Sequence, residues 1–218
     1  MFIPKPDAAR NETECWDFLA AQGFGHLIAP GAGRELPVVA ATQFVVSDRR
    51  IVLHLATPNP IWPALAENPV ALLSVAGDWT YVPGAWKTLP DETPGTGVPT
   101  TYYGAVQVSG PVDVVERPDE LLALLRTQLA VVEPDLPDPA QHISLLAGIR
   151  GVVLTPQVVR GKFKYGGNVD EAHRWAVAQH LADRRGPGDA AALRHLQRRI
   201  PPSDQWAGTT APGGNETA

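Results

Sequence analysis

The spacing of apolar residues along the chain passes from helical to alternating and back to helical. Over residues 11–22 (NETECWDFLAAQ) Cys15, Trp16 and Phe18 fall in a helical pattern. Asn11 stands at the capping position with Glu14 three residues on, the spacing of a capping box. Gly23 and Gly25 stop that helix. Strand-like segments follow at 24–29, 36–47 and 50–56, the last two joined by the turn Ser47-Asp48-Arg49-Arg50. A short helix is predicted around 61–67, then a strand over 69–77. Residues 83–100 are rich in proline and glycine and read as a long loop of the kind that is either functional or disordered. The stretch 105–115 alternates cleanly, with Val106 and Val108 on one face and Gln107 and Ser109 on the other. Pro118 opens an amphipathic helix with Leu121, Leu125, Leu129 and Val132 at helical spacing. A strand or strand pair is predicted over 149–166. Asn168 caps the next helix with Glu171 in the capping-box position, Gly186-Pro187-Gly188 breaks it, and a last helix runs over 189–200. The tail over 201–218 is rich in Gly, Thr and Ala and reads as disordered, with Trp206 lacking apolar neighbours. Consecutive alternating strands with short turns predict an antiparallel barrel rather than a doubly wound sheet.

Composition narrows the class. The chain has 218 residues, 44% of them hydrophobic, which is a globular composition with enough material for a sizeable core. A net charge of −5 argues against binding DNA or another polyanion through the general surface. Arg194, Arg198 and Arg199 make a modest basic patch that reads equally as a solvated helix face. The single cysteine removes any disulfide framework and any cysteine-based metal cluster, and its aromatic neighbours predict a buried thiol. The N-terminus lacks the apolar region of a signal peptide, and no apolar run approaches the ~20 residues of a membrane span. A cytoplasmic protein without a membrane partner is the expectation.

Candidate chemistry concentrates in three places. In LHLATPNPIWPALAENP (53–69) a strand gives way to Thr57-Pro58-Asn59-Pro60 and then to a helix. Either that helix N-terminus, with Thr57 and Asn59, collects an anion, or Asn59 is a simple cap. His54, on the face opposite Leu53 and Leu55, points into a barrel or towards a cleft, and His26 is in the same position with less to recommend it. The other histidines, His142, His173, His180 and His195, are expected to face solvent. No spacing suits a metal site, and no GxSxG or phosphate-loop motif occurs. Where 97–110 enters a strand, Tyr102 and Tyr103 point to opposite faces, so only one can stack on a planar ligand; the alternative is ordinary cross-strand packing. In GKFKYGGN (161–168), Lys162 and Lys164 share a strand face. They either bracket an anion or protect an exposed edge, and Gly166-Gly167 permits a left-handed turn.

These stretches together resemble the PaiB-type proteins, a family often labelled FMN-binding negative transcriptional regulators. FIPKP (2–6) is similar to that family's Y/F-x-P opening, and HLATPNPIW (54–62) to its H-M-A-R-A-N-P-x-W. GDWTYVPGAW (77–86) resembles G-P-H-A-Y-x-S-P-x-W, VPTTYYGAVQVSG (98–110) resembles V-P-T-W-N-Y-x-x-V-H-V-x-G, and GKFKYGGN resembles G-K-F-K-L-S-Q-N. The resemblance implies a mainly β fold with peripheral helices (α+β), an FMN-binding split β-barrel over residues 1–200 that is homodimeric with FMN between subunits. It implies cofactor-binding positions at Thr42, His54, Ala56, Thr57, Asn59 and Trp62, the turn at 56–62 receiving the phosphate. In the second half it implies Tyr81, Thr100, Tyr102, Lys162, Lys164 and Asn168. The implied activity is that of a flavin-dependent oxidoreductase on a small molecule, with no assigned catalytic residue; Tyr81, Tyr102 and His54 are the nearest candidates. Haem b is the alternative, as in the similar piperazate synthase, with His54 or His26 as axial ligand, and a non-enzymatic ligand-responsive regulator is the third reading. The sequence departs from the pattern at Thr57, where the family has arginine, and at Trp79 and Gln107, where it has histidine.

Overall fold

The computed structural model describes residues 1–136 and 138–198. The tail over 201–218, positions 199–200 of the predicted last helix, Arg199 among them, and the side chain of His142 lie outside the described residues. The chain divides into two compact units, one made of Met1, Arg10–Val75 and Val106–Arg160, the other of Phe2–Ala9, Ala76–Ala105 and the described residues from Gly161 onward.

In the first unit, helix α1 spans Glu12–Gln22, where Asn11 Oδ1 accepts from Glu14 N at 2.9 Å. The Glu14 carboxylate turns back to accept from Arg10 N at 2.7 Å, so the expected cap forms, one residue wider than the ideal box. Cys15, Trp16, Phe18 and Leu19 are buried. Strands β1 (Phe24–Ala29) and β2 (Val38–Gln43) pair antiparallel with Leu27 opposite Ala40. Buried Phe44 interrupts the predicted segment over 36–47, and β3 (Val45–Ser47) begins after it. Asp48 and Arg49, at φ 49° and 56°, form the two-residue hairpin into β4 (Arg50–Ala56). Helix α2 (Ile61–Glu67) leads to β5 (Val70–Val82), and later come β6 (Thr100–Val115), α3 (Pro118–Val132), a 3-10 segment over Pro139–Gly148, β7 (Ile149–Leu154) and β8 (Val158–Lys164). The chain passes between units within β5, β6 and β8. Hydrogen-bonded order is β2-β1-β5-β6-β7-β4-β3, with β8 on β6. The core of this unit comprises Leu27, Leu53, Ile61, Leu73, Val106, Val108, Val152 and Leu154.

Helix α3 buries Leu121, Leu124 and Gln128 instead of the stripe through Leu125, Leu129 and Val132; Leu124 joins the core cluster of Val45 and Val52, and Gln128 bonds to His54 on β4. Strand β5 is longer than its apolar pattern suggests. Asp78 at φ 50° interrupts the alternation, so the buried positions change from odd (71, 73, 75) to even (80, 82) across it.

In the second unit, α4 (Glu171–Arg184) and α5 (Asp189–Gln197) pack together through Val177, Ala178 and Leu181 on one helix and Ala192, Leu193 and Leu196 on the other. The cap of α4 is Asp170, whose Oδ1 accepts from His173 N at 3.0 Å, and not Asn168, which is exposed. The turn that starts at Gly166 uses up that segment (Val169 N donates to Gly166 O at 3.3 Å), so the helix begins two residues later. The loop after β5 contains a 3-10 turn over Gly84–Lys87.

Candidate functional site

The β4–α2 turn of the first unit gathers Ala56, Thr57, Asn59 and Trp62. Its backbone donors are spent within the chain. Thr57 N donates to Gly148 O and Asn59 N to Ala56 O, both at 2.9 Å, and Trp62 N donates to Asn59 O at 3.4 Å. Asn59 Oδ1 takes Ile61 N at 3.0 Å, Thr57 Oγ1 donates to Ala147 O at 3.1 Å, and Trp62 Nε1 donates to Ala56 O at 3.0 Å. Proline at 58, 60 and 63 supplies no N–H. Pro60 is the N-cap of α2 and makes no side-chain cap bond, while Asn59 Oδ1, one residue earlier, closes onto Ile61 N. A guanidinium does lie beside the turn: Arg150, on β7, is 5.6 Å from the centroid of the Trp62 ring, and it also pairs with Glu116 at 3.0 Å.

His54 does not point into the barrel interior. It is exposed, and its Nδ1 lies 2.7 Å from Gln128 Oε1 of α3. An amide oxygen only accepts, so Nδ1 carries a proton, and in the neutral ring Nε2 carries the lone pair. His26 is also exposed, on β1. Thr42 is buried, its hydroxyl donating to Gln43 O at 3.0 Å.

In the second unit, Lys164 Nζ donates to Thr100 Oγ1 at 2.7 Å, and Lys162 Nζ lies 5.6 Å from the Tyr103 ring centroid and 6.0 Å from that of Phe2. The two lysines share a face, as expected, with Phe163 buried on the other. Tyr102 is 2% exposed and packs edge-on against Tyr165. Burial pushes its hydroxyl up to about 12, against an opposing pull from Arg174, so it keeps its proton at neutral pH. Tyr81 is exposed on β5, and Asn168 is exposed in its turn. His195, expected at the surface, is 7% exposed; its ring stacks on Tyr165 at 4.5 Å and its Nε2 lies 2.7 Å from Asp78 Oδ2. His173 is likewise drawn into contacts, with Asp170 and Glu92. Among the described residues no group of three His, Cys, Asp or Glu side chains is arranged to hold a metal ion.

The first unit also carries a cleft of about 470 Å³ lined by Leu72 of β5, Gln107 and Ser109 of β6, and Val158 and Arg160 of β8. None of the cofactor positions implied by the resemblance lines it. Its volume falls within the ~300–1,000 Å³ of small-molecule sites. The alternation of 105–115 placed Gln107 and Ser109 on the face away from the core, and that is the face the cleft uses. Arg160 was legible only as the position two before Lys162. Among the described residues Arg160 has no hydrogen-bonding or ion-pair partner through its side chain, so its fork of donors is available to an anion.

Residues 1–157 match the model of the family described as "Putative FMN-binding domain", and the chain belongs to that family. It is 24% identical over 197 residues to Protease synthase and sporulation protein PAI 2 of Bacillus subtilis (strain 168), covering 86% of this chain and 92% of that protein. Among solved structures, the FAD and Heme binding protein from Mycobacterium smegmatis is similar with a TM-score of 0.59 at 19% identity, covering 78% of this chain and 79% of the other. The Flavocytochrome Anf3 from Azotobacter vinelandii gives 0.57 at 18% identity, covering 78% and 74%. These likenesses show the fold, a mainly β split barrel with peripheral helices. No helix among the described residues is long and apolar enough to cross a membrane.

Proposed function

We propose that the chain binds FMN and serves as a flavin-dependent oxidoreductase for a small molecule, with the β5–β6–β8 cleft as its flavin site. Membership of the FMN-binding family supports the cofactor, and Arg160, without a side-chain partner among the described residues, in a cleft of suitable size is the observation that carries the site. The donor set fits the group: Arg160 for the phosphate, Gln107 and Ser109 for polar edges, Leu72 and Val158 for apolar surface. When bound, FMN supplies the capacity to accept or donate hydride and single electrons. The chain's own share is binding and orientation, since among the described residues that line the cleft there is no carboxylate, histidine or tyrosine to move a proton. Exposed Val39 and Val70 supply apolar surface for the homodimer that this reading includes.

His54 supports a second reading. With Nδ1 engaged by Gln128, the exposed imidazole of His54 would hold haem iron through Nε2, and the haem would supply one-electron chemistry. The visible spectrum of the purified protein, supplied with FMN and haem in turn, separates the two. The flavin reading gives paired near-ultraviolet and blue bands; a single intense Soret band, lost on replacing His54 with alanine, overturns it in favour of haem.

A further inference from the structure

The proline- and glycine-rich loop of the second unit is closed on itself. Lys87 Nζ donates to Val98 O at 3.0 Å, Gly97 N to Thr88 Oγ1 at 3.1 Å, and Leu89 N to Glu92 Oε2 at 2.9 Å. It lies along α4 through three side chains on one helix face: His173, His180 and Arg184. The Trp86 ring stacks on the His180 imidazole with centroids 4.9 Å apart and planes at 16°, and the Arg184 guanidinium is 4.4 Å from the Trp86 centroid. At the other end Glu92 Oε1 lies 3.0 Å from His173 Nε2. The second nitrogen of that imidazole, Nδ1, is 2.8 Å from Asp170 Oδ1 and 2.9 Å from Oδ2.

An ionised carboxylate can only accept hydrogen bonds. A ring with a carboxylate against each nitrogen therefore needs N–H on both, and imidazolium alone has that. If the ring is neutral, one lone pair faces a carboxylate. Asp170 also caps α4 through His173 N, so it stays in place, and the contact that gives way is the one to Glu92. We propose that His173 is a proton-operated latch, holding the loop over residues 83–99 against α4 while doubly protonated and releasing its Glu92 end when neutral.

The charged groups that face His173 are Asp170, from the start of its own helix, and Glu92, from the loop. The positive end of α4 opposes a cation at this third helical position, but the carboxylates outweigh it. Asp170 first, and then Glu92, hold the imidazole above its ordinary value. The sign follows. A group raised on folding stabilises the folded arrangement fully below its unfolded value, and that stabilisation is lost as pH rises through the raised one. The latch is closed in mild acid and opens above the ordinary histidine range. The released segment leads directly into β6 at Thr100, the acceptor for Lys164.

Amide hydrogen exchange over residues 84–98, corrected for intrinsic rates, tests this from about pH 6 to about pH 9, a range spanning the ordinary histidine value. The native chain should lose protection by about two- to five-fold as pH rises, the ratio typical of a partly exposed ion pair. Glu92→Gln keeps an oxygen for Leu89 N and offers an amide N–H to the lone pair of a neutral ring, so it should lose no protection as pH rises. His173→Gln should show no variation with pH. Constant protection in the native chain, or the same loss in Glu92→Gln, overturns the proposal, and the Glu92 variant decides alone if the other fails to fold.

Discussion

Replacing Asp189 with asparagine probes how the second unit secures its last two helices. Asp189 is 1% exposed, and its carboxylate accepts from Thr80 Oγ1 at 2.6 Å, Gly186 N at 2.7 Å, Arg184 Nε at 2.8 Å and Arg184 Nη2 at 2.5 Å. The same Nη2 donates to Thr80 Oγ1 at 2.7 Å and to Tyr81 O at 2.9 Å, so one ion pair ties β5 to the α4–α5 turn. Asparagine keeps the shape but puts an NH2 against donors in either flip, and it leaves Arg184 without its counter-charge. Removing one partner of a buried pair costs about 3–5 kcal/mol. The Arg184 side chain is 33% exposed and can rehydrate, which brings the expected loss to about 2–3 kcal/mol. Urea unfolding at neutral pH measures it, as a lower midpoint at unchanged slope. Burial works to raise the Asp189 carboxyl, but Arg184, Thr80 and Gly186 N–H outweigh it and hold it below the ordinary value. The stabilisation is therefore present above the unfolded value and lost as pH falls through the lower folded one, so the gap between native and variant should close in acid. A loss under about 0.5 kcal/mol, the scale of an ordinary surface substitution, or a gap that does not change with pH, refutes the reasoning.

Other outcomes follow from single sites. Gly166→Ala sets a Cβ 2.7 Å from the Tyr102 hydroxyl at a φ of 71°, and should cost about 1–3 kcal/mol in the same unfolding assay; a neutral result would mean the turn relaxes freely. Burial first, then Glu14 and Glu12, push the Cys15 thiol up to about 11, so a thiol reagent at neutral pH should label it only as fast as the chain unfolds. Labelling at the rate of a free cysteine would show that α1 is not packed as described.

What the sequence revealed depended on whether one dimension was enough. The α1 cap, the Asp48–Arg49 hairpin and the alternation of β6 are local, and each forms where its residues predict. Asp78 is different: its left-handed backbone changes which positions of β5 face the core, and no periodicity carries across it. Asn168 and Asp170 are both good caps, and the choice was made by a turn that hydrogen-bonds Val169 back to Gly166. His195 looked solvated because it sits in a polar helix, but Tyr165, thirty residues away, supplies the ring it stacks on. The 56–62 turn admitted two readings from sequence, and only the bonding partners of its donors, which include Ala147 and Gly148, separate them. Arg160 was passed over for a like reason: a strand arginine acquires meaning only when β5 and β6 are seen to wall a cleft beside it.

Titration of FMN and riboflavin into the native chain and into Arg160→Met tests the central claim most directly, because the two flavins differ by the phosphate alone. The native chain should quench FMN fluorescence and bind FMN more tightly than riboflavin. Removing a charge-assisted phosphate contact of roughly 1.5–3 kcal/mol should weaken FMN about ten- to hundred-fold and leave riboflavin unchanged. Failure of the native chain to bind either flavin, or equal weakening of both in the variant, would contradict the assignment of the cleft to FMN.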